Sequence, residues 1–183
     1  MTQYKVLTLW EPWATLYAHG IKKIETRPKA TKWTVEKGVY LIHSAQKWSE
    51  DQAKICIQEP FKSELSKLGC LYQYEDFDIG YKGYSFKFNH GQIIGSIEIV
   101  ECSRIRYNKD TALPLKPHFW SRHTGELKSF YVQEPENSFG DYSDGRFAWI
   151  SQTPRILKTP IPYKGVQGYY QNFKGDINQL IFK

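Results

Sequence analysis

The sequence predicts an α+β fold, a small β-barrel of about five or six strands with helices packed outside it. Three observations lead there. Short runs rich in β-branched and aromatic residues recur along the chain, clearest in GVYLIHSA (38–45) and GQIIGSIEIVECSRI (91–105). Helical patterning is confined to a few short segments. No strand-to-helix turn carries G-x-G-x-x-G or a phosphate-binding loop, which disfavours the nucleotide-cofactor folds. The 183 residues suffice for one domain, 1–183, with insertions near 71–90 and 106–138.

Taken in order, YKVLTLW (4–10) reads as a first strand. EPWATLYAHG (11–20) reads as a helix. Pro12 suits its first turn, where a missing N–H costs nothing, and Trp13, Leu16 and Tyr17 fall on one face. Gly20 stops it as a left-handed C-cap. Residues 38–45 form the next strand. AQKWSEDQAKICIQ (45–58) is helical by composition until Pro60, and FKSELSKLG (61–69) adds a helical piece ending at Gly69. Residues 91–105 form the strongest strand, with Gly95 at a bulge or a close backbone approach. FAWIS (147–151) is another strand. PRILKTPIPYKG (154–165) reads as a separate edge strand interrupted by prolines.

Aromatic residues make up 16 %, so some must lie at the surface. The net charge of +6 favours an anionic partner. The charge is uneven: residues 20–37 carry six basic side chains against two acidic, and residues 150–183 carry five against one. Two basic zones far apart in sequence could meet in space. Cys56, Cys70 and Cys102 are odd in number and widely spaced, which suggests neither a disulfide framework nor a zinc site; Cys56 and Cys102 read as buried thiols. There is no run of about 18 apolar residues and no signal-peptide pattern. The expectation is a cytoplasmic protein with no membrane partner.

The segment GIKKIETR (20–27) raises the functional question. If it is extended, Lys22, Ile24 and Thr26 share one side, and Lys23, Glu25 and Arg27 the other. Glu25 beside Arg27 could form an ion pair or anchor a ligand. On this segment alone, a solvated charge run is the better reading. Elsewhere, HFWSRH (118–123) places His118, Arg122 and His123 in a loop, without a Cys or carboxylate at metal spacing. Asp141 and Asp144 read as turn formers rather than calcium ligands. No cofactor or metal is expected.

LTLWEPWATLYAHGIKKIETR resembles the opening of an ASCH domain, the activating signal cointegrator homology domain of the PUA-like superfamily, in its cointegrator-like and bacterial or phage branch. Its G-x-K-x-x-E-x-R signature is met by Gly20, Lys22, Glu25 and Arg27. GVYLIHSAQK, GQIIGSIEIVEC, and GRFAWI with PIPYKGVQGYY resemble further ASCH blocks in order, across residues 6–170. The resemblance implies a PUA-like β-barrel whose signature residues line a basic cleft between barrel and helix. It also implies binding of RNA, or of DNA carrying a modified base, in single-stranded or modified form.

Within such a cleft, Lys22 and Arg27 would neutralise phosphates. Trp10 or Trp13 would stack on a base. Glu25 would accept from a base amino edge or hold Arg27 or Lys22. His43, Ser44 and Lys47 would form a second wall, though His43 fits a core position nearly as well. Arg146 and Trp149 would form the opposite rim, with Lys164 and Gln167 in the final turn.

The alternative is a hydrolase. Some small ASCH proteins are amidohydrolases acting on N4-acetylcytidine through Lys, Thr and Glu. Lys22 matches their lysine, Glu25 stands where they have threonine, and Thr26 lies one position later, on the other side if extended. Their glutamate has no placed match among Glu98, Glu101 and Glu134. A ribonuclease would use Lys22, Glu25 or His43 as acid and base. As an enzyme, the catalytic residues would be Lys22 and Glu25.

Overall fold

The computed structural model describes residues 4–28, 35–106, 118–121, 127–128, 132–166 and 170–183, with 118–121 and 127–128 described as backbone only. The first apolar alternation becomes strand β1 (Lys5–Leu9), and helix α1 (Trp13–Ala18) follows at once. Strands β2 (Ile24–Arg27) and β3 (Gly38–Ser44) come next, then helices α2 (Glu50–Cys56) and α3 (Phe61–Lys67). Strand β4 (Leu71–Gln73) pairs with β5 (Tyr84–Phe86) as a small separate ribbon inside the 71–90 insertion. The long strand β6 (Gln92–Arg106) precedes β7 (His118–Ser121) and β8 (Leu127–Lys128). A 3-10 turn (Glu136–Phe139), β9 (Phe147–Pro162), β10 (Tyr170–Asn172) and a second 3-10 turn (Ile177–Gln179) complete the chain.

Eight strands form one mixed sheet. β1 runs parallel to β3 and antiparallel to β10; β3 pairs antiparallel with β6. β6 also pairs with β7 and with β9, and β9 carries β2 on its other side. The α+β class therefore holds. The pairing among the described residues does not close into the expected barrel: the ladder remains open between β2 and β10.

β9 corrects a second expectation. FAWIS and PRILKTPIP are not two strands but one 16-residue strand paired with β6. The prolines are tolerated because the β6–β9 ladder shifts register three times, between Ile93 and Gly95, Ser96 and Glu98, and Ile99 and Glu101. Gly95 sits at the first shift. A Cβ there would stand 2.5 Å from the Arg155 carbonyl oxygen and 3.4 Å from Ala18 Cβ, so the bulge and the close approach coincide. Both of the sequence alternatives for Gly95 are met.

α1 lies across the sheet and joins two apolar clusters. Tyr17 and Ala18 pack with Leu7, Leu9, Ile42, Ile97, Ile99 and Trp149. Leu16 packs with Cys56, Phe61, Leu65, Leu71 and Phe139. Helices α2 and α3 and the β4–β5 ribbon are thereby held to α1 by the second cluster. Cys56 and Cys102 are buried, and no disulfide joins Cys56, Cys70 and Cys102. No helix among the described residues is long and apolar enough to cross a membrane.

Candidate functional site

α1 ends in a Schellman turn. Gly20 N–H donates to Tyr17 O at 3.1 Å and Ile21 N–H to Leu16 O at 3.0 Å, with Gly20 at φ +72°. This fixes where Lys22 starts. Its own N–H also reaches Leu16 O, at 3.1 Å, and only at Ile24 does the chain settle into β2. Lys22 therefore does not obey the strand alternation expected for 22–27. Its side chain turns toward Glu25, with Nζ 3.7 Å from Oε2. From Ile24 onward the alternation holds, and Glu25 pairs with Arg27 Nε at 3.0 Å. The Arg27 guanidinium also lies 5.3 Å from the centroid of the Trp149 ring.

Lys22 is 1 % exposed. Its ammonium donates to the Ile24 carbonyl and, at 3.2 Å, to the Phe139 carbonyl. Burial pushes its pKa below the ordinary lysine value, and the Glu25 and Glu136 carboxylates oppose that shift. A lysine so enclosed is not placed to neutralise a phosphate, as the sequence suggested. It ties β2 to the loop after the 3-10 turn.

Sequence reading missed Glu136. Its Oε2 accepts from Lys23 N–H at 2.6 Å, and its Oε1 accepts from Ile24 N–H at 3.1 Å and from the Tyr142 hydroxyl at 2.9 Å. One carboxylate thus clamps the entrance of β2 across more than a hundred residues of chain. Burial raises its pKa, opposed first by Lys22. Nothing local in EPENSF separates Glu136 from Glu134, so no sequence signal marks it. Glu134 instead caps its own turn through Ser138 Oγ at 2.6 Å. Glu98 meets Gln152, and Glu101 accepts from Ser103. None of these three lines the cleft described next.

Between β2 and the α2–α3 connection lies an open cleft of about 890 Å³. Trp10, Trp13 and Phe61 give it aromatic walls. Lys22, Glu25, Thr26 and Arg27 line its β2 side, and Ser138, Phe139, Gly140, Asp141 and Arg146 its rim. Thr26 also lines this cleft, together with Lys22, Glu25 and Arg27. Its Oγ1 accepts from Asp141 N–H at 3.2 Å. Asp141 holds Arg146 at 3.2 Å and accepts from Ser143 N–H at 3.0 Å, the turn-forming part read from the sequence.

The lining charges balance: Lys22, Arg27 and Arg146 against Glu25, Glu59 and Asp141. Among the described residues, no lining residue comes from 150–183, so the described part of the second basic zone does not join the first there. This corrects the expectation of a basic cleft. Lys47 lies at the edge, its Nζ 5.5 Å from the Trp10 ring centroid, and Trp10 is 41 % exposed.

Other expected members lie elsewhere. His43 is buried behind the cleft, bonded to Thr8 Oγ1 at 3.2 Å and to the Tyr163 carbonyl at 2.9 Å. Burial lowers its pKa. Ser44 is fully buried on β3, close to Glu11. Trp149 is fully buried and belongs to the core; it stands opposite Glu25 on the β2–β9 ladder, and its ring lies under the Arg27 guanidinium. Lys164 is exposed and its carbonyl accepts from Gln171, outside the cleft lining. Gln167 and the side chains of His118, Arg122 and His123 lie outside the described residues. Among the described residues, no cluster of three His, Cys, Asp or Glu could hold a metal.

The family comparison follows this geometry. The ASCH domain profile matches residues 7–139, a span that runs from within β1 through β8 and holds the whole GIKKIETR segment and Glu136. The chain belongs to the ASCH domain family. ASCH domains are PUA-like modules of RNA-binding type. The matched span ends at Phe139, before β9, so Arg146 and Trp149 lie beyond it. No curated protein matches the chain.

Proposed function

We propose that this ASCH domain binds nucleic acid by taking one base into the cleft between β2 and α3. The observation that carries this reading is the cleft itself. Its volume of about 890 Å³ suits a nucleotide. Its aromatic walls suit a base face, and its β2 side presents a carboxylate and a guanidinium held in register. Trp10 supplies an exposed stacking surface. Glu25 accepts from a base amino edge while Arg27 pairs with it through Nε at 3.0 Å. Because the lining charges balance, base stacking and edge contacts dominate, and phosphate contacts come from the rim through Arg146 and Lys47.

The test is a titration of labelled single-stranded RNA and DNA, unmodified and modified, at several salt concentrations. Binding with a shallow salt slope, equivalent to about one or two phosphates, supports this reading. A steep slope would place the anion elsewhere on the surface, and no binding at low salt would remove the reading.

A second reading has its own observation. Lys22, Thr26 and Glu25 line one cleft, and burial lowers the pKa of Lys22. A lysine whose pKa burial lowers can act as base or nucleophile, which fits a hydrolase acting on N4-acetylcytidine-type nucleosides. Its test is incubation with N4-acetylcytidine, with release of acetate and cytidine as the readout. Turnover abolished by Lys22→Met in a folded protein would replace the first reading with this one.

A further inference from the structure

The aromatic surface does not stop at the cleft. From Trp10 it continues through Lys47, whose Nζ lies 5.5 Å from the Trp10 ring, to the neighbouring Trp48. The Trp48 indole meets Phe86 at 5.2 Å, Phe88 at 5.4 Å and His90 at 5.5 Å between ring centroids. Phe86 and Phe88 are nearly parallel, with an interplanar angle of 12°. Trp48, Phe86 and Phe88 pack inward on the α2–α3 cluster, and all four rings stay partly exposed. His90 is held in place through Ala45 O at 3.1 Å.

The cation on this path is uncommitted to acids. The acidic neighbours of Lys47, Glu50 and Asp51, both face Lys54, at 3.3 and 3.6 Å. Lys47 itself makes no ion pair among the described residues. An exposed ammonium between one stacking ring at the cleft mouth and a partly exposed cluster of four more has the composition of a single-strand binding path. Much of that path comes from the 71–90 insertion.

We propose that Lys47, Trp48, Phe86, Phe88 and His90 form a second subsite, which takes the nucleotides flanking the base held in the cleft. Bases rest on the rings, and Lys47 meets the phosphate between the cleft nucleotide and its neighbour. The ligand is a single strand, because a paired duplex has no free base faces to offer. The proposal rests on the cleft reading above and assigns the rings outside the cleft to the strand that leaves it.

The test measures the affinity of oligouridylates of two, four and eight residues for the wild type, Lys47→Glu, Trp48→Leu and Arg27→Ala. The wild type is expected to gain affinity with length. Lys47→Glu is expected to weaken every length, the longest strand by about tenfold, and Trp48→Leu to weaken the longest strand by about tenfold with a smaller effect on the dinucleotide. Arg27→Ala is expected to weaken every length. Lys47 is exposed, so its variant keeps the test valid should Trp48→Leu disturb packing. A gain with length that survives both variants reflects only the extra registers of a longer strand. That result, or equal affinity at all lengths, overturns the subsite, while loss in Arg27→Ala still supports the cleft. If no oligonucleotide binds, the cleft reading fails and the subsite with it.

Discussion

Lys22 is the residue whose meaning changes most between sequence and structure. As a letter in GIKKIETR it is one of three cations. In the fold it is enclosed, and its ammonium answers two carbonyls and one carboxylate. Lys22→Met keeps most of the volume and removes every one of those donors. Breaking a buried charged contact in this way is expected to destabilise the domain by about 3 kcal/mol, measured by urea unfolding. A loss near zero would show that Lys22 is solvated in solution.

Glu11 makes a pH prediction. It is fully buried, and burial raises its pKa above the ordinary 4.5, against opposing contacts with Ser44 and Thr15. Below the unfolded value both states are protonated, and this group's contribution to stability is complete. As pH rises from there through the folded value, the unfolded state releases its proton first and stability falls. Glu136, also raised by burial, adds a slope of the same sign. Glu11→Gln keeps an acceptor for the Thr15 N–H, which Glu11 Oε2 now fills at 3.1 Å. Unfolding free energies measured from pH 4 to 8 are expected to fall less steeply in the variant, which is more stable than wild type at neutral pH. An unchanged slope would show that Glu11 does not titrate in this range.

Elements were legible where local chemistry decides them. The end of α1 followed from Gly20, and β1, β3, β6 and the short α3 followed from patterning and flanking glycines. The length of β9 did not, because prolines argue for an interruption and only pairing with a bulged β6 overrides that. Lys22 was misread and Glu136 missed for a related reason. Their placement depends on a turn geometry and on contacts across the chain, which strand alternation does not contain. Gly95 tests the element-scale account. Gly95→Ala would push a methyl group against the Arg155 carbonyl, and is expected to cost about 1–3 kcal/mol in thermal or urea unfolding. A neutral substitution would mean that β6 and β9 separate easily at this shift.

At the scale of the whole molecule, the net charge of +6 pointed to an anionic partner, and the family points to nucleic acid. The fold separates these two signals. The basic surplus of 150–183 lies away from a cleft whose own charges balance. Composition could not show this, because the distribution of charge around a cleft is a property of the folded surface. The cleft and the basic strand end are therefore rival sites for the same ligand, and they differ in which residues a ligand would perturb. The most direct measurement is the amide and indole NMR spectrum of the labelled protein, titrated with a single-stranded RNA tetranucleotide. The account predicts shifts at the Trp10 indole, at Thr26 and Arg27, and along Ser138–Asp141. Shifts confined to 151–164, with the cleft unperturbed, would contradict it.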